Sequence, residues 1–221
     1  QDPSNRSADK PGVWFHSDGT NYLVRALVDA TTAYGVDAHL FEAPEVARKK
    51  AEQLFEGIER PVVIPLRVST FDSDRNTELK TMTTVARDLE LSGYTPIFIP
   101  DQENMGHFET QELPGIHIRE AAYNLALRLA LHEQATISIC SSSGPTAMLA
   151  LAKKKPTLVV VRPIIETSVD STEEKFRIQG FDVGNKHPLP WTADNQIYLW
   201  DNAALPDRIH SAVEELCPPA R

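Results

Sequence analysis

The sequence contains few cysteines and no grouping of residues typical of a metal site. Only Cys140 and Cys217 are cysteines, and neither stands in a Cys or His spacing of the zinc type. Free cysteine is often buried as a small apolar residue, so we interpret Cys140 as a core residue at a strand end and Cys217 as an incidental thiol. The pattern gives no indication of redox chemistry.

Long apolar runs are also missing. No stretch approaches the roughly eighteen uninterrupted apolar residues that a membrane-spanning helix requires, and the opening QDPSNRSADKPG lacks the apolar segment of a secretory signal. These absences predict a soluble, cytoplasmic protein with no membrane span. Residues 1–12 are polar and contain proline, which predicts a disordered lead-in or a vector-derived remnant.

Positive charge is scarce and dispersed. The formal net charge is -9, and the basic residues are scattered apart from Lys153, Lys154 and Lys155. A protein that binds nucleic acid usually concentrates lysine and arginine on one face. We therefore expect no nucleic-acid partner.

Apolar segments rich in β-branched residues alternate with amphipathic segments along the chain. Several of the apolar segments are continuous, which is typical of strands covered on both faces, and residues 79–89 and 118–129 have a helical period. This alternation predicts a doubly wound α/β fold, with a mostly parallel sheet and helices on both faces. The predicted strands are 13–16, 38–43, 61–69, 95–100, 135–140, 156–161 and 196–200.

These elements suggest two parts, a reduced N-terminal βαβα segment at 13–60 and a Rossmann-like domain at 61–217. The least regular region, 162–193, is longer than most loops of a compact domain, which indicates a functional or mobile segment. Lys186 and Trp191, with Gln196 just beyond, are candidates for a lid or a wall that contacts a sugar. The alternative is a surface loop that Trp191 anchors to the core.

The segment CSSSGPTAMLALAKKKPTLVVV combines a strand end, a serine-rich turn and a helix start. In open parallel sheets, ligands bind beyond the carboxyl ends of the strands, where helix N-termini present free N–H groups. Gly144 would then be the point of close backbone approach to an anion, and Ser143 or Thr146 could add a hydroxyl hydrogen bond to it. The alternative is a helix capped by serine without any ligand.

A second loop follows the strand predicted at 61–69. Arg67 and Ser69 stand at its carboxyl end, and Arg75 and Asn76 precede the next helix. Planar guanidinium groups bind phosphate oxygens through two hydrogen bonds, so this loop and the serine turn together predict a diphosphate site. For Arg75, a salt bridge to one of the aspartates of the same loop remains an equal alternative.

Other polar residues near strand ends are open to two interpretations. Asp18, in FHSDGTNYLVRAL, is a candidate general base that removes a proton from an incoming hydroxyl, or it stabilises a turn. Asp101 either accepts a hydrogen bond from a ribose hydroxyl or caps a turn, and we favour the turn. His107, His117 and His132 have no spacing that indicates a metal site.

SSSGPTAMLALAKKKPTLVVV, PVVIPLRVS and TTVARDLELSGYTPIFIP together resemble the donor-binding half of GT-B-fold glycosyltransferases, particularly the heptosyltransferase-like group. The resemblance covers roughly residues 61–215. It implies that the diphosphate of a nucleotide sugar contacts Ser142, Ser143, Gly144 and Thr146, with Arg67 and Ser69 facing these residues. HSDGTNYLVRAL is similar to the Gly-Asp loop of the acceptor half, but the order here is Asp-Gly, and only 60 residues precede Pro61.

The function that this resemblance implies is transfer of a sugar from a nucleoside-diphosphate donor to a hydroxyl acceptor, in polysaccharide or glycoconjugate assembly. Arg67 and the helix predicted at 144–154 would offset charge on the departing diphosphate. No Asp-x-Asp cluster is present, so we expect no metal cofactor. The main alternative is a non-catalytic nucleotide-sugar-binding module of a polysaccharide-assembly complex. A serine hydrolase is disfavoured, because the expected first glycine of a nucleophile elbow is missing.

Overall fold

The computed structural model describes residues 23–70, 73–103, 113–168, 170–201 and 205–218. Within these ranges six strands and eight α-helices follow one another, with a short 3-10 turn at Ser73–Arg75. The strands are β1 (Pro61–Pro65), β2 (Thr95–Ile99), β3 (Ile116–His117), β4 (Ile137–Ser141), β5 (Leu158–Val161) and β6 (Gln196–Leu199). The helices are α1 (Leu23–Tyr34), α2 (Glu45–Leu54), α3 (Leu79–Leu91), α4 (Glu120–Tyr123), α5 (Leu125–Gln134), α6 (Gly144–Ala150), α7 (Glu173–Ile178) and α8 (Leu205–Leu216).

The six strands form one parallel sheet in the order β3-β2-β1-β4-β5-β6. Chain order runs outward in both directions from the centre, so β1 and β4 are adjacent although they are far apart in sequence. The connections leave in opposite directions at that point, which opens a crevice at the carboxyl ends of β1 and β4. The predicted doubly wound α/β fold is confirmed.

Successive residues of each strand supply two separate cores, one on each face of the sheet. Val63, Cys140 and Val160 point to the face covered by α2, α4 and α5, whereas their neighbours point to the face covered by α3 and α8. Both faces are therefore apolar, because neither is exposed to water. This explains why β1, β4 and β5 read as continuous apolar runs in the sequence.

Five of the predicted strands form within the predicted ranges, extended by Ser141 in one case, and β3 was missed. The strand predicted at 38–43 is wrong, since Phe41 makes only an isolated bridge to Ala152. Ala38 and Ala43 are buried there, but Leu40 is 62% exposed, so the bulky residue of this segment does not enter the core. The strand predicted at 13–16 lies outside the described residues.

The helix predicted through 118–129 is two helices that meet at Asn124. The Asn124 side chain accepts a hydrogen bond from the Leu127 backbone N–H at 3.0 Å and caps α5, which begins at Leu125. Leu125 itself is 52% exposed, contrary to its predicted core position. By contrast, α3 ends at Leu91, two residues before Gly93, whose φ of 79° suits glycine, as predicted.

No helix among the described residues is both long and apolar enough to cross a membrane. The helix predicted at 144–154 ends at Ala150 in the structure.

Candidate functional site

Two cavities open at the carboxyl ends of β1 and β4. The first, here called the arginine cavity, has a volume of about 340 Å³, and the second, the α3 cavity, of about 240 Å³. Pro65 at the end of β1 and Ser141 at the end of β4 line both of them. The arginine cavity is also lined by Arg67, Asp101, Arg128 and Ser143, and the α3 cavity by Arg75, Glu78, Met82 and Leu205.

Arg67 is held in place by the loop that precedes α3. Its guanidinium Nη1 donates to Asn76 Oδ1 at 2.6 Å, and its backbone N–H donates to Thr77 Oγ1 at 2.8 Å. Asn76 also accepts the Ser69 N–H at 2.9 Å and donates to the Ser69 carbonyl at 3.0 Å. Asn76 therefore links Arg67 to Ser69, and these three predicted residues do come together at one strand end.

Arg128 is the residue of this site that sequence reasoning missed. It comes from α5, is only 7% exposed and lines the arginine cavity. Its Nε is fully buried without a partner, and among the described residues its guanidinium makes no hydrogen bond or ion pair. Burial lowers the pKa of Arg128, an effect that Cys140 and Asp101 oppose. The only signal in the sequence is an arginine inside the apolar run LALRLAL.

The serine turn divides between the two cavities. Ser143 lines the arginine cavity and Ser142 lines the α3 cavity, where the Ser142 carbonyl accepts from Arg75 Nη2 at 2.9 Å. Ser143 also caps α6 by accepting the Thr146 N–H at 3.4 Å. Gly144 heads α6 and is exposed, and it lines neither cavity.

Thr146 is buried inside the turn. It is 4% exposed, its hydroxyl donates to the Ser141 carbonyl at 2.6 Å, and Ser143 Oγ lies 2.9 Å from it. The placement fits the cap alternative for this residue better than a ligand contact, because the hydroxyl is already engaged within the turn.

The Asp101 carboxylate is also engaged in hydrogen bonds within the protein. Its two carboxylate oxygens accept the backbone N–H groups of Val68 at 3.0 Å and Glu103 at 3.2 Å, which ties the loop after β1 to the loop after β2. This is the turn-capping interpretation favoured from the sequence. Asp18, the predicted general base, lies outside the described residues.

The three residues predicted to form a lid are not brought together at the cavities. Lys186 Nζ contacts Glu215 Oε2 of α8 at 2.6 Å, and Trp191 is 7% exposed within the core. Gln196 begins β6, so it lies at the amino edge of the sheet, opposite the cavities, and its Nε2 donates to the Pro156 carbonyl. The alternative, a loop that Trp191 anchors to the core, describes the structure.

The described part of the chain contains no group of three or more His, Cys, Asp and Glu residues placed to hold a metal ion. His132 is buried and its Nδ1 lies 2.8 Å from Ser138 Oγ, whereas His117 is exposed on β3.

The doubly wound α/β fold, with its crevice between β1 and β4, is similar to the folds of two solved glycosyltransferase structures. They are a glycosyl transferase family 9 protein from Veillonella parvula DSM 2008 (TM-score 0.60, 14% identity, 87% of this chain and 57% of that chain) and the ADP-heptose lps heptosyltransferase II of E. coli (TM-score 0.55, 10% identity, 80% of this chain and 52% of that chain). The heptosyltransferase-like resemblance seen in the sequence is thus confirmed as a likeness of fold.

The chain spans little more than half the length of either structure. No protein-family model matches the sequence, and no curated protein matches it significantly.

Proposed function

We propose that this protein binds a nucleoside-diphosphate sugar and transfers the sugar to a hydroxyl acceptor in polysaccharide or glycoconjugate assembly. The diphosphate occupies the arginine cavity. The nucleoside, the sugar and any polysaccharide-assembly partner extend from there.

The observation that carries this proposal is the pair of buried arginines, Arg67 and Arg128, at the switch point of a doubly wound sheet. A guanidinium stays protonated at neutral pH, and it is costly to bury one whose Nε has no partner, as in Arg128. A doubly charged ligand would supply the missing partner, because planar guanidinium groups bind phosphate oxygens through paired hydrogen bonds. Arg67 lies in the loop after β1 and Arg128 in α5, so the fold brings two distant parts of the chain to one cavity.

Transfer of the sugar breaks the bond between its anomeric carbon and the diphosphate oxygen, and negative charge grows on that oxygen. In this proposal Arg67 and Arg128 stabilise this charge. The role is supported by their fixed positions, since Asn76 holds Arg67 and the packing of α5 buries Arg128. With two guanidinium groups supplying positive charge, the proposed reaction uses no metal. The acceptor hydroxyl loses a proton, and Asp18 remains the candidate base.

A non-catalytic nucleotide-sugar-binding module is the second candidate function, and one observation favours it. Asp101 is the only acid among the described residues that line the arginine cavity, and both of its oxygens accept backbone N–H groups. A carboxylate held in this way serves the loop, which leaves this cavity equipped for binding rather than for proton removal.

Titration calorimetry with uridine, guanosine, cytidine and adenosine diphosphates tests the site. We expect at least one to bind, and Arg128→Met to weaken that binding at least tenfold, since a hydrogen bond to a charged group contributes about 1.5–3 kcal/mol. Arg87→Met, at an exposed position of α3, is the matched control. If none of the four binds, or if both variants bind alike, the proposed site is wrong. An assay for hydrolysis of the sugar donor, or for transfer of its sugar, distinguishes the two candidate functions. A non-catalytic module would bind the donor without turning it over.

A further inference from the structure

The α3 cavity adjoins the arginine cavity at the same opening of the sheet. Pro65 and Ser141 line both, and the serine turn supplies Ser143 to one and Ser142 to the other. A ligand whose diphosphate lies beside Arg67 and Arg128 therefore reaches the α3 cavity by extending past the end of β4.

The lining of the α3 cavity combines apolar and polar side chains. Aliphatic side chains of Met82, Ile139, Val161 and Leu205 line it, and no aromatic side chain does so among the described residues. Its polar lining combines hydrogen-bond acceptors with donors, namely Asp74, Glu78, Arg75, Thr81 and Ser142. This chemistry suits a ring with C–H faces and hydroxyl groups at its edge.

The polar groups of the α3 cavity are fixed by internal hydrogen bonds but keep acceptor capacity. Thr81 Oγ1 donates to Glu78 Oε2 at 2.6 Å, and Thr167 Oγ1 donates to Asp74 Oδ2 at 2.8 Å. An ionised carboxylate can accept about four hydrogen bonds. Glu78 and Asp74 can therefore each accept further hydrogen bonds from ligand hydroxyls without losing these contacts.

We propose that the α3 cavity holds the sugar ring of the donor, and that this sugar is neutral. The inference rests on the proposed function, since it assumes a nucleoside-diphosphate sugar whose diphosphate occupies the arginine cavity. The charged side chains of the lining are two carboxylates, Asp74 and Glu78, and one guanidinium, Arg75. An acidic sugar would be repelled by the excess of negative charge, whereas the hydroxyls of a neutral sugar donate to it.

The test compares each nucleoside diphosphate with its hexose ester, using UDP-glucose, GDP-mannose, ADP-glucose and CDP-glucose in calorimetric titrations of the full chain. Glu78→Gln should weaken binding of the preferred hexose ester about tenfold, because a charge-assisted hydrogen bond is lost. Binding of the bare diphosphate should stay within twofold of the wild type. Glu90→Gln, at an exposed position near the end of α3, is the control and should change neither affinity.

A second variant fills the cavity. Thr81→Phe should reduce affinity for the hexose ester to that of the bare diphosphate, and Thr84→Phe, on an exposed turn of the same helix, should not. Equal loss for both ligands in Thr81→Phe and Glu78→Gln would assign the cavity to the nucleoside and overturn the proposal. No change in either variant would also overturn it, while leaving the diphosphate site intact. If the wild type binds neither ligand, the proposed function fails, and this inference fails with it.

Discussion

Arg128 is a buried positive charge that contributes little to the stability of the fold. Its side chain is buried in α5 and makes no ion pair among the described residues. Replacing a buried ionic group by an apolar side chain of similar volume often leaves stability unchanged or raises it. A ligand explains an arginine at this position better than packing does. Replacing Arg128 should therefore affect the stability of the fold and the binding of the ligand in opposite directions.

We therefore expect Arg128→Met to raise the free energy of unfolding by about 1–2 kcal/mol while it weakens nucleoside-diphosphate binding. Urea unfolding with and without the diphosphate measures both effects. The ligand should stabilise the wild type and have little effect on the variant. A variant less stable than the wild type would show that Arg128 has a structural role instead.

His132 lies one helical turn after Arg128 and is buried against β4. It is 1% exposed, its Nδ1 lies 2.8 Å from Ser138 Oγ, and its Nε2 is buried without a partner. Burial, with a smaller contribution from Arg128, lowers the pKa of His132 from 6.5 to about 3. The imidazole is therefore neutral in the folded protein over most of the acid range.

This pKa predicts a loss of stability in acid. The unfolded chain binds a proton at His132 below about pH 6.5, whereas the folded protein binds it only near pH 3, so stability is complete above pH 6.5 and decreases as the pH falls towards 3. Between pH 7.5 and 5.0 the wild type should lose about 2 kcal/mol more than His132→Asn. Urea unfolding at each pH measures the difference, and exposed His187→Asn is the control. Parallel pH profiles for wild type and His132→Asn would contradict the assignment.

At the scale of elements, Asn124 sets where Arg128 points. Its side chain caps α5 by accepting the Leu127 N–H, and its carbonyl accepts the Arg128 N–H at 2.9 Å. The helix restarts at this residue with a new phase. Leu125 consequently faces water, and Leu127 and Arg128 face inward.

Asn124→Ala should therefore cost about 1 kcal/mol of stability, the usual effect of losing an N-cap. It should also weaken nucleoside-diphosphate binding, because the first turn of α5 carries Arg128. Asn124→Ser keeps an accepting oxygen and should restore most of both quantities. Thermal unfolding and calorimetry measure them, and an alanine variant as stable as the wild type would rule out the cap.

Sequence patterns predicted the strands that helices cover on both faces. They missed the exposed strand β3 and the buried Arg128. β1, β4 and β5 are apolar runs because helices cover both faces, so their prediction was straightforward. β3 has only two residues, both exposed, and offers no apolar run. Helix α5 is covered by the sheet on one side and by α2 on the other, so every residue from Leu127 to His132 is buried, and the spacing of the apolar residues did not single out Arg128 as inward-facing.

The candidate site shows the same division. Arg67, Ser69 and Ser143 were predicted because each follows a strand end closely, where a parallel sheet gathers its loops, and Asn76 because it precedes the helix that follows the same loop. Arg128 comes from the middle of a helix, and only tertiary packing brings it there. The lid residues were misplaced for a related reason, since aromatic and polar residues in a long loop do not show which edge of the sheet the loop follows.

For the whole molecule, the topology of the sheet gathers positive charge at one edge, although the chain as a whole is negatively charged. The chain has a formal net charge of -9, which disfavours anionic ligands overall. The strand order nevertheless collects Arg67, Arg75 and Arg128 at the carboxyl ends of β1 and β4. Their attraction for a phosphate acts within a partly buried crevice, where water screens it less than on the surface.

The described residues before β1 pack against the helices of the sheet domain. In the structure α2 packs on α5, with Ala51 completely buried. The Ala43 N–H donates to Glu133 Oε1, and Gln134 Nε2 donates to the Arg48 carbonyl, both at 2.9 Å. These contacts cross the boundary at residue 60 and cover the outer side of α5.

We therefore expect one cooperative unfolding transition for the full chain, and expect residues 61–221 alone to lose it, because the outer face of α5 would be exposed to water. Ala51→Gln should destabilise the whole transition by about 1–3 kcal/mol, since it forces a larger polar side chain into the α2–α5 contact. Glu52→Gln, the exposed neighbour, should stay within about 0.5 kcal/mol. Calorimetry measures the unfolding transition of the full chain, of residues 61–221 and of the two variants. Two separate transitions in the full chain, with only one of them shifted by Ala51→Gln, would instead show that the N-terminal segment folds independently.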